Sequence, residues 1–161
     1  MNTISFLDKL CLKINSDKGL YYYNNSNIEE KVPGHNYTKI YEKILKEFRN
    51  KHIKLLEIGV SLWYKNINEN VDLKPDYIGS EIWKTYFPNG TIYGYDINKY
   101  ESSKNVKFYH GDQSCIKCLN KIEETEFDII IDDGSHARNH QQFTFFSLFD
   151  KIKKNGLYII E

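Results

Sequence analysis

The sequence predicts an α/β fold, in which helices cover both faces of a parallel sheet to give a three-layer sandwich. The chain has 161 residues, enough for one domain to bury a core. Short apolar runs of strand type alternate along the chain with stripes of helical period, the pattern of βαβ units. The first such run, 55–60, is apolar at most positions, which is typical of a strand buried on both faces.

Composition excludes several classes of protein. The 22 basic side chains balance the 22 acidic ones, which argues against a partner such as nucleic acid or an anionic membrane. The longest apolar runs, Leu20–Tyr23 and Leu157–Ile160, are far shorter than the roughly 20 residues that cross a bilayer. We see no secretion leader at the start of the chain, and three cysteines then suggest reduced thiols in a cytoplasmic protein.

Residues 1–50 are predicted to form an N-terminal cap region of helices and loops. A first helix begins near residue 4 with Thr3 as its cap, and a second begins after Asn36, which can cap it. The stretch 15–36 between them is polar, carries glycines and is predicted to be irregular. The apolar stripes that define the two helices are Leu7, Leu10, Cys11 and Ile14, and then Tyr37, Ile40, Tyr41, Ile44, Leu45 and Phe48.

Residues 51–161 are predicted to form the sheet and its covering helices. A loop or insertion is expected over 63–77, followed by a short helix that Ser80 caps. Helical stripes then follow around Leu119 and Leu148, the second ending near 153–156. The five predicted strands are 55–60, 91–96, 106–110, 127–132 and 157–160.

The first four predicted strands all end in polar or small residues. In an open parallel sheet the ligand binds beyond the carboxyl ends of the strands, where strand order reverses. Any one of these ends is explained equally well as a turn or a helix cap, but four at one edge predict a binding site. The ends are Glu57-Ile58-Gly59, Asp96, Gly111-Asp112-Gln113-Ser114 and Asp132-Asp133-Gly134-Ser135-His136.

The first two strand ends favour a nucleoside ligand without phosphates. Asp96 stands where a carboxylate accepts two hydrogen bonds from a ribose diol, and Gly59 allows close approach of the backbone. The segment 59–62 lacks the second and third glycines of the dinucleotide fingerprint, so a pyrophosphate clamp is poorly supported. S-adenosylmethionine therefore fits better than NAD.

The fourth strand end suggests acid–base and metal chemistry. Adjacent carboxylates in an extended strand point to opposite sides, so that one of Asp132 and Asp133 can face a cofactor while the other reaches outward. Mg²⁺ prefers such oxygen ligands and needs only one or two protein carboxylates. His136 suits a general base near neutral pH, and the alternative is that it caps the next helix.

Two other motifs receive structural interpretations. Cys115 and Cys118 have no second cysteine pair and share an apolar stripe with Leu119, so we reject a metal or redox role for them. The lysines 151, 153 and 154 are interpreted as a helix C-terminus matched to the helix dipole.

Several segments together resemble the macrocin/mycinamicin-type O-methyltransferases. The resemblance runs from about Asp17 to the last residue, and the Gly-Asp-Gln-Ser and Asp-Asp-Gly-Ser-His segments are its most specific parts. The segments are Asp17-Lys18-Gly19, His35-Asn36-Tyr37, Tyr41-Glu42, Leu56–Gly59, Gly79-Ser80, Trp83, Tyr86–Pro88, Tyr93–Asp96, Gly111–Ser114, Phe127–His136 and Leu157–Glu161.

The resemblance implies a class I methyltransferase fold with a Rossmann-like parallel sheet. It further implies that S-adenosylmethionine is bound and that Mg²⁺ assists methylation of a sugar hydroxyl. The roles carried over are the methionine end of the cofactor for Glu57 and Gly59, the ribose for Asp96, the adenine for Asp112 and Gln113, the cofactor side for Asp132, the metal for Asp133 and proton removal for His136.

The sequence departs from the family pattern in two places. A polar stretch, 63–78, separates the Glu-Ile-Gly turn from the Gly-Ser helix start. The sequence also ends at Glu161, short of the family's further acidic ligands and strands, which implies a core truncated at its C-terminus. The edge strand 157–160 would then be exposed and prone to pairing, so a homo-oligomer is possible.

The function expected is that of an S-adenosylmethionine-dependent O-methyltransferase acting on a small sugar-containing acceptor. The acceptor would be a surface-polysaccharide precursor or a glycosylated metabolite. The alternatives are a non-catalytic cofactor-binding remnant that acts by association and, more weakly, a nicotinamide-dependent enzyme.

Overall fold

The computed structural model describes residues 4–24, 27–60 and 78–161. The chain divides into two compact units, Met1–Lys51 and His52–Glu161. The predicted loop over 63–77 lies outside the described residues. Among the residues described, no helix is both long and apolar enough to cross a membrane.

The first unit opens with helix α1, Phe6–Ile14. Ser5 is its N-cap, because the Ser5 hydroxyl accepts a hydrogen bond from the Asp8 amide at 3.0 Å. The helix ends at Asn15, whose backbone is left-handed with φ 61°. The predicted cap, Thr3, lies outside the described residues.

An antiparallel pair of strands follows α1, where the sequence predicts an irregular stretch. Strand β1, Tyr21–Asn24, pairs with strand β2, Asn27–Pro33. The prediction is wrong because β2 is largely polar, so its sequence lacks the alternation that marks a half-buried strand. Backbone hydrogen bonds between the two strands define this pair, and composition does not reveal them.

Helix α2, Thr38–Leu45, continues as a 3₁₀ turn over Lys46–Phe48. Its N-cap residue is Tyr37, which makes no side-chain capping bond. The prediction that Asn36 caps this helix is therefore wrong. Asn36 instead takes a left-handed backbone conformation with φ 58°, which asparagine tolerates better than most residues.

The second unit is built on a five-stranded sheet in which every pairing is parallel. The strand order is β5-β4-β3-β6-β7, so the chain builds outward on one side of β3 and then crosses to the other. Strand order therefore reverses between β3 and β6. The strands are β3 Lys54–Ile58, β4 Thr91–Asp96, β5 Val106–His110, β6 Phe127–Asp132 and β7 Ile152–Ile160.

Helices flank this sheet, as the three-layer prediction requires. Helix α3, Ile78–Tyr86, packs against β3 and β4 with Ile82 and Trp83 fully buried. The short helix α4, Ile116–Leu119, and helix α5, Arg138–Leu148, contribute Leu119 and Leu148 to a buried hydrophobic cluster on the sheet. The sheet residues of that cluster include Leu56, Ile58, Tyr93, Tyr95, Phe127 and Ile130. The predicted α/β three-layer architecture is confirmed.

Two predicted element boundaries are wrong in this unit. Ser80 does not cap α3, since the helix already begins at Ile78 and Ser80 is buried within it. Lysines 153 and 154 do not end a helix, because α5 stops at Leu148 and a 3₁₀ turn leads into β7 at Ile152. An irregularity in the pairing of β6 with β7 accommodates the extra polar residues at the start of β7.

Candidate active site

The loops that follow β3, β4 and β6 are joined by backbone hydrogen bonds at the carboxyl edge of the sheet. The Gly59 amide donates to the Tyr95 carbonyl at 2.8 Å, and the Asp133 amide donates to the Ile58 carbonyl at 3.0 Å. The Glu161 amide likewise donates to the Asp132 carbonyl at 3.0 Å. The predicted site residues of these loops therefore share one edge, next to the point where strand order reverses.

Gly59 lies at the reversal point and fits only as glycine. Its φ is 79°, a left-handed conformation that side chains rarely adopt. A Cβ at this position would overlap the carbonyl oxygen of Asp133. The loops after β3 and β6 therefore touch backbone to backbone, and Gly59's role toward a cofactor remains a prediction.

Asp96 is nearly buried and holds two loops together. Its Oδ2 accepts a hydrogen bond from the Val60 amide at 2.9 Å, and its Oδ1 accepts one from the Asn98 amide at 2.8 Å. Only 5% of the residue is exposed. The carboxylate thus links the ends of β3 and β4, and its predicted contact with a ribose stays a prediction.

Glu57 lies below this edge, inside β3. It is fully buried and in register with Gly94 of β4 and Ile131 of β6. Its contact with the methionine end of a cofactor stays a prediction.

Asp112 is exposed in the loop after β5. Its Oδ1 accepts a hydrogen bond from the Ser114 amide at 2.8 Å, and this bond lowers the pKa of the carboxyl. The Tyr95 hydroxyl donates to the Asp112 carbonyl at 3.0 Å, and burial raises the pKa of Tyr95 to about 12. Asp112 is therefore a carboxylate exposed on this loop, and its place beside an adenine stays a prediction.

Gln113 points inward from the same loop. Its Nε2 donates to Asp132 Oδ1 at 2.7 Å and to Thr144 Oγ1 at 2.9 Å. Its Oε1 accepts from the Ser135 amide at 2.9 Å. With 7% of its surface exposed, Gln113 joins β5, β6 and α5 in the structure, and its predicted contact with adenine remains a prediction.

Asp132 is fully buried at the end of β6. Burial raises the pKa of its carboxyl to about 6, against the opposing effect of the hydrogen bonds from Gln113 and Gly134. Burial and the charge of Asp132 in turn raise the pKa of Tyr158 well above its usual range. The two adjacent aspartates thus differ in environment, with Asp132 inside the protein and Asp133 at its surface.

Asp133 and His136 lie side by side at that surface. His136 Nε2 is 3.6 Å from Asp133 Oδ1, and the two side chains are 53% and 22% exposed. His136 Nδ1 lies 3.2 Å from the Glu161 carbonyl oxygen. The alternative that His136 caps the next helix is wrong, because the N-cap of α5 is Ala137.

The donor set at this pair fits a hard cation only in part. The described residues contain no group of three or more histidine, cysteine or acidic side chains arranged to hold a metal ion. An exposed carboxylate nevertheless suits Mg²⁺, which keeps several waters and takes few protein ligands. Asp133 is the residue of the pair that would contact it.

Several polar residues around this edge were not predicted from the sequence to belong to the site. Ser135 Oγ lies 2.7 Å from His140 Nδ1, and Gln141 Nε2 donates to the Glu161 carbonyl at 3.1 Å. Thr144 donates its hydroxyl to the His140 carbonyl at 2.9 Å. The available signal was their spacing, since 140, 141 and 144 recur at helical intervals just after the Asp-Asp-Gly-Ser-His segment.

The cysteine prediction requires a correction. Cys115 and Cys118 form a disulfide, with their Cα atoms 5.2 Å apart, and among the described residues only Cys11 is a free cysteine. The expectation of reduced thiols is wrong for this pair because Cys115 is the N-cap of α4, where one helical turn brings the two side chains together.

Comparisons with known proteins support the resemblance found in the sequence. No family model matches the chain. The chain is 35% identical over 133 residues to the mycinamicin VI 2''-O-methyltransferase of Micromonospora griseorubida, an alignment that covers 79% of this chain and 31% of that protein. It is 30% identical over 161 residues to the L-olivosyl-oleandolide 3-O-methyltransferase of Streptomyces antibioticus, covering 96% of this chain and 36% of that protein.

A solved structure gives the same result for the fold. The MycE methyltransferase of the mycinamycin biosynthetic pathway, in complex with Mg, SAH and mycinamycin VI, superposes with a TM-score of 0.75 at 29% identity. The match covers 98% of this chain and 39% of that one. The predicted resemblance and the class I methyltransferase fold are confirmed, and the chain spans about a third of the length of the curated relatives it matches.

Proposed function

We propose that this chain forms the cofactor-binding part of an S-adenosylmethionine-dependent O-methyltransferase that acts on a sugar hydroxyl with the help of Mg²⁺. The observation that carries the proposal is the pairing of Asp133 with His136 at the sheet edge where Gly59 and Asp96 lie. Methyl transfer to a hydroxyl requires a base close to that hydroxyl, and His136 would supply it beside the proposed nucleoside site.

Different residues of this edge would contact different parts of the cofactor. Gly59 would lie at the methionine end of the cofactor, and Asp96 would accept hydrogen bonds from the ribose hydroxyls. Asp112 stays ionised at neutral pH, since its pKa lies below the ordinary value, and borders the adenine. The sulfonium supplies an electrophilic methyl group when the cofactor is bound.

Proton removal falls to His136. Its ring is half exposed, so an acceptor hydroxyl can reach it, and its Nδ1 is held 3.2 Å from the Glu161 carbonyl. That contact fixes the ring and leaves Nε2 to receive a proton. Asp133 would hold Mg²⁺, and the charge of the bound ion would make an acceptor hydroxyl more acidic.

The acceptor class follows from the relatives. The mycinamicin VI, oleandolide and rhamnosyl-tetracenomycin enzymes are all named for methylation of a sugar or glycosylated compound. A glycosylated metabolite is therefore the acceptor class that we propose for this chain. A surface-polysaccharide precursor offers the same sugar hydroxyl, and transfer of labelled methyl groups to each substrate distinguishes the two.

The test is calorimetry with S-adenosylhomocysteine and with Mg²⁺, on the wild type and on Asp133→Asn. The wild type should bind both, and Asp133→Asn should keep its nucleoside affinity within about threefold while its Mg²⁺ affinity falls about tenfold or more. Asp150→Asn, a change at an exposed aspartate, is the matched control and should behave as the wild type. A folded wild type that binds no S-adenosylhomocysteine would refute the proposal.

A second candidate is a non-catalytic cofactor-binding protein that acts by association. It is favoured by the absence of a three-ligand metal group among the residues described. It predicts nucleoside binding without any transfer of labelled methyl groups to sugar acceptors.

A further inference from the structure

Gln113 uses its whole side-chain amide in buried hydrogen bonds. A glutamine amide has two N–H donors and one carbonyl acceptor. Here both donors are engaged, by Asp132 at 2.7 Å and Thr144 at 2.9 Å, and the carbonyl accepts from Ser135 at 2.9 Å. Both N–H groups and the carbonyl oxygen of Gln113 therefore bind protein partners whether or not a ligand is present.

Two partners of Gln113 lie just before and within the loop 133–136, which carries Asp133 and His136. Asp132 ends β6 immediately before Asp133, and the Ser135 amide lies between Asp133 and His136. Ser135 is held a second time, since its hydroxyl lies 2.7 Å from His140 Nδ1. The stretch 133–136 is thus held at the residue that precedes it, Asp132, and at two atoms of Ser135 within it.

The contact is too close to admit a side chain in the loop. A Cβ at Gly134 would overlap Gln113 Oε1. A side chain at position 134 would therefore displace the Gln113 amide from its present position, and glycine lets the loop lie against that amide.

We propose that Gln113 is a positioning residue, which holds the 133–136 loop so that Asp133 and His136 stand together at the open edge of the sheet. It does so through the Ser135 amide on one side and the Asp132 carboxyl on the other. No other side chain supplies two donors and an acceptor at this length: glutamate lacks the donors and would set a carboxylate against Asp132, and asparagine is one methylene shorter. This proposal extends the proposed function. It rests on that function only where it assigns a catalytic role to the 133–136 loop.

Amide hydrogen exchange of the 161-residue chain, resolved by residue, tests this role. Gln113→Met keeps the length and removes all three hydrogen bonds, and the protection factor of the Ser135 amide should fall about tenfold or more. Amides in the middle of β3 should keep their protection within about twofold. Gln142→Met, the same exchange at an exposed glutamine of α5, is the matched control and should leave Ser135 unchanged.

Gln113→Glu adds a pH-dependent readout. Its carboxyl can donate to Asp132 only while protonated, so protection of Ser135 should approach the wild-type value at acidic pH and fall as the pH rises to neutral. A role limited to filling space would give no such rescue. Should Gln113→Met fail to fold, Thr144→Val removes one acceptor of the amide and should lower Ser135 protection by about two- to tenfold.

The result that overturns the proposal is Ser135 protection within about twofold of the wild type in Gln113→Met, or an equal loss of protection at Ser135 and in β3. Binding of S-adenosylhomocysteine, measured on the same samples, separates the two claims. Loss of Ser135 protection in Gln113→Met, together with a wild type that binds no nucleoside, would uphold the positioning role and refute the methyltransferase proposal. Nucleoside binding by the wild type, with Ser135 protection unchanged in Gln113→Met, would refute the positioning role and uphold nucleoside binding by the chain.

Discussion

Acidic side chains at one edge of the sheet experience opposite environments. Asp112 is exposed and accepts a hydrogen bond from the Ser114 amide, so its pKa falls below the ordinary value. Asp132 is enclosed, and burial raises its pKa to about 6. The sequence shows two aspartates near strand ends and cannot separate them, because burial depends on what packs over each.

The raised pKa of Asp132 has a consequence for stability. A carboxyl whose pKa is higher in the folded than in the unfolded state stabilises the fold below the unfolded pKa and loses this contribution as pH rises through the folded value. The shift from 3.8 to about 6 places that loss between about pH 4 and about pH 7. Its size is on the order of 2 kcal/mol.

Asp132→Asn is therefore expected to remove this part of the pH dependence. Urea unfolding between about pH 4 and about pH 7 should show the wild type losing on the order of 2 kcal/mol relative to the variant. The new buried amide shifts the stability of the variant at every pH but does not add a slope. Asp150→Asn should follow the wild-type curve, and parallel curves for Asp132→Asn would contradict the assignment.

Gly59→Ala should destabilise the chain by about 2 kcal/mol or more. The added methyl group is forced into a left-handed backbone and against the Asp133 carbonyl. Gly90→Ala is the control, since its nearest neighbour would be 3.1 Å away and its φ is not positive, so a smaller loss is expected. Denaturant midpoints measure both, and equal losses would count against strain at Gly59.

Among the elements, those with strong apolar runs were predictable and those built on backbone pairing were not. The predicted strands 91–96, 106–110 and 127–132 coincide with β4, β5 and β6. The pairing of β1 with β2 was missed because β2 is mostly polar. The early start of β7 was missed for the same reason, since its first residue, Ile152, is followed by two lysines and an asparagine.

The polar start of β7 is tied to the rest of the sheet by Asp128. Lys153 Nζ donates to both Asp128 oxygens at 2.8 and 2.9 Å, and Asp128 Oδ2 also accepts from the Lys54 amide at 2.8 Å. One carboxylate of β6 thus fastens the beginnings of β3 and β7.

Lys153→Gln should therefore lower the free energy of unfolding by roughly 0.5–1 kcal/mol, less at high salt, because the ammonium is partly exposed. Lys154→Gln, a change at the adjacent exposed lysine, should have little effect. Urea unfolding at low and high salt checks both. An equal effect of the two substitutions would show that Lys153 contributes only general charge.

For the whole molecule, the parallel topology made the site's location predictable and left its internal contacts hidden. Polar strand ends must meet at one edge once the sheet is parallel, so the positions of Asp96, Asp112 and Asp133 followed from their places in the chain. The bonds of Gln113 to Asp132 and Ser135 did not follow, because they join loops 19 and 22 residues apart whose side-chain directions depend on packing.

The fold as a whole admits more than one nucleoside cofactor, and ligand stabilisation separates them. S-adenosylhomocysteine at about 100 times its dissociation constant should stabilise the chain by about 2.7 kcal/mol and raise the melting temperature by a few degrees. NAD at the same concentration should leave it unchanged, because residues 59–62 lack the further glycines of a pyrophosphate site. A shift with NAD alone would favour a nicotinamide-dependent enzyme.

The central position of β3 also bears on how quickly the chain folds. Its two neighbours come from later in the sequence, and β6 joins it only after the chain has passed through β4, β5 and α4. Closing such a long loop costs chain entropy before the strand contacts can offset that cost. Parallel sheets therefore fold slowly. The nascent chain therefore has no competent pocket until β6 docks, and ligand added during refolding should accelerate none of the steps before that event.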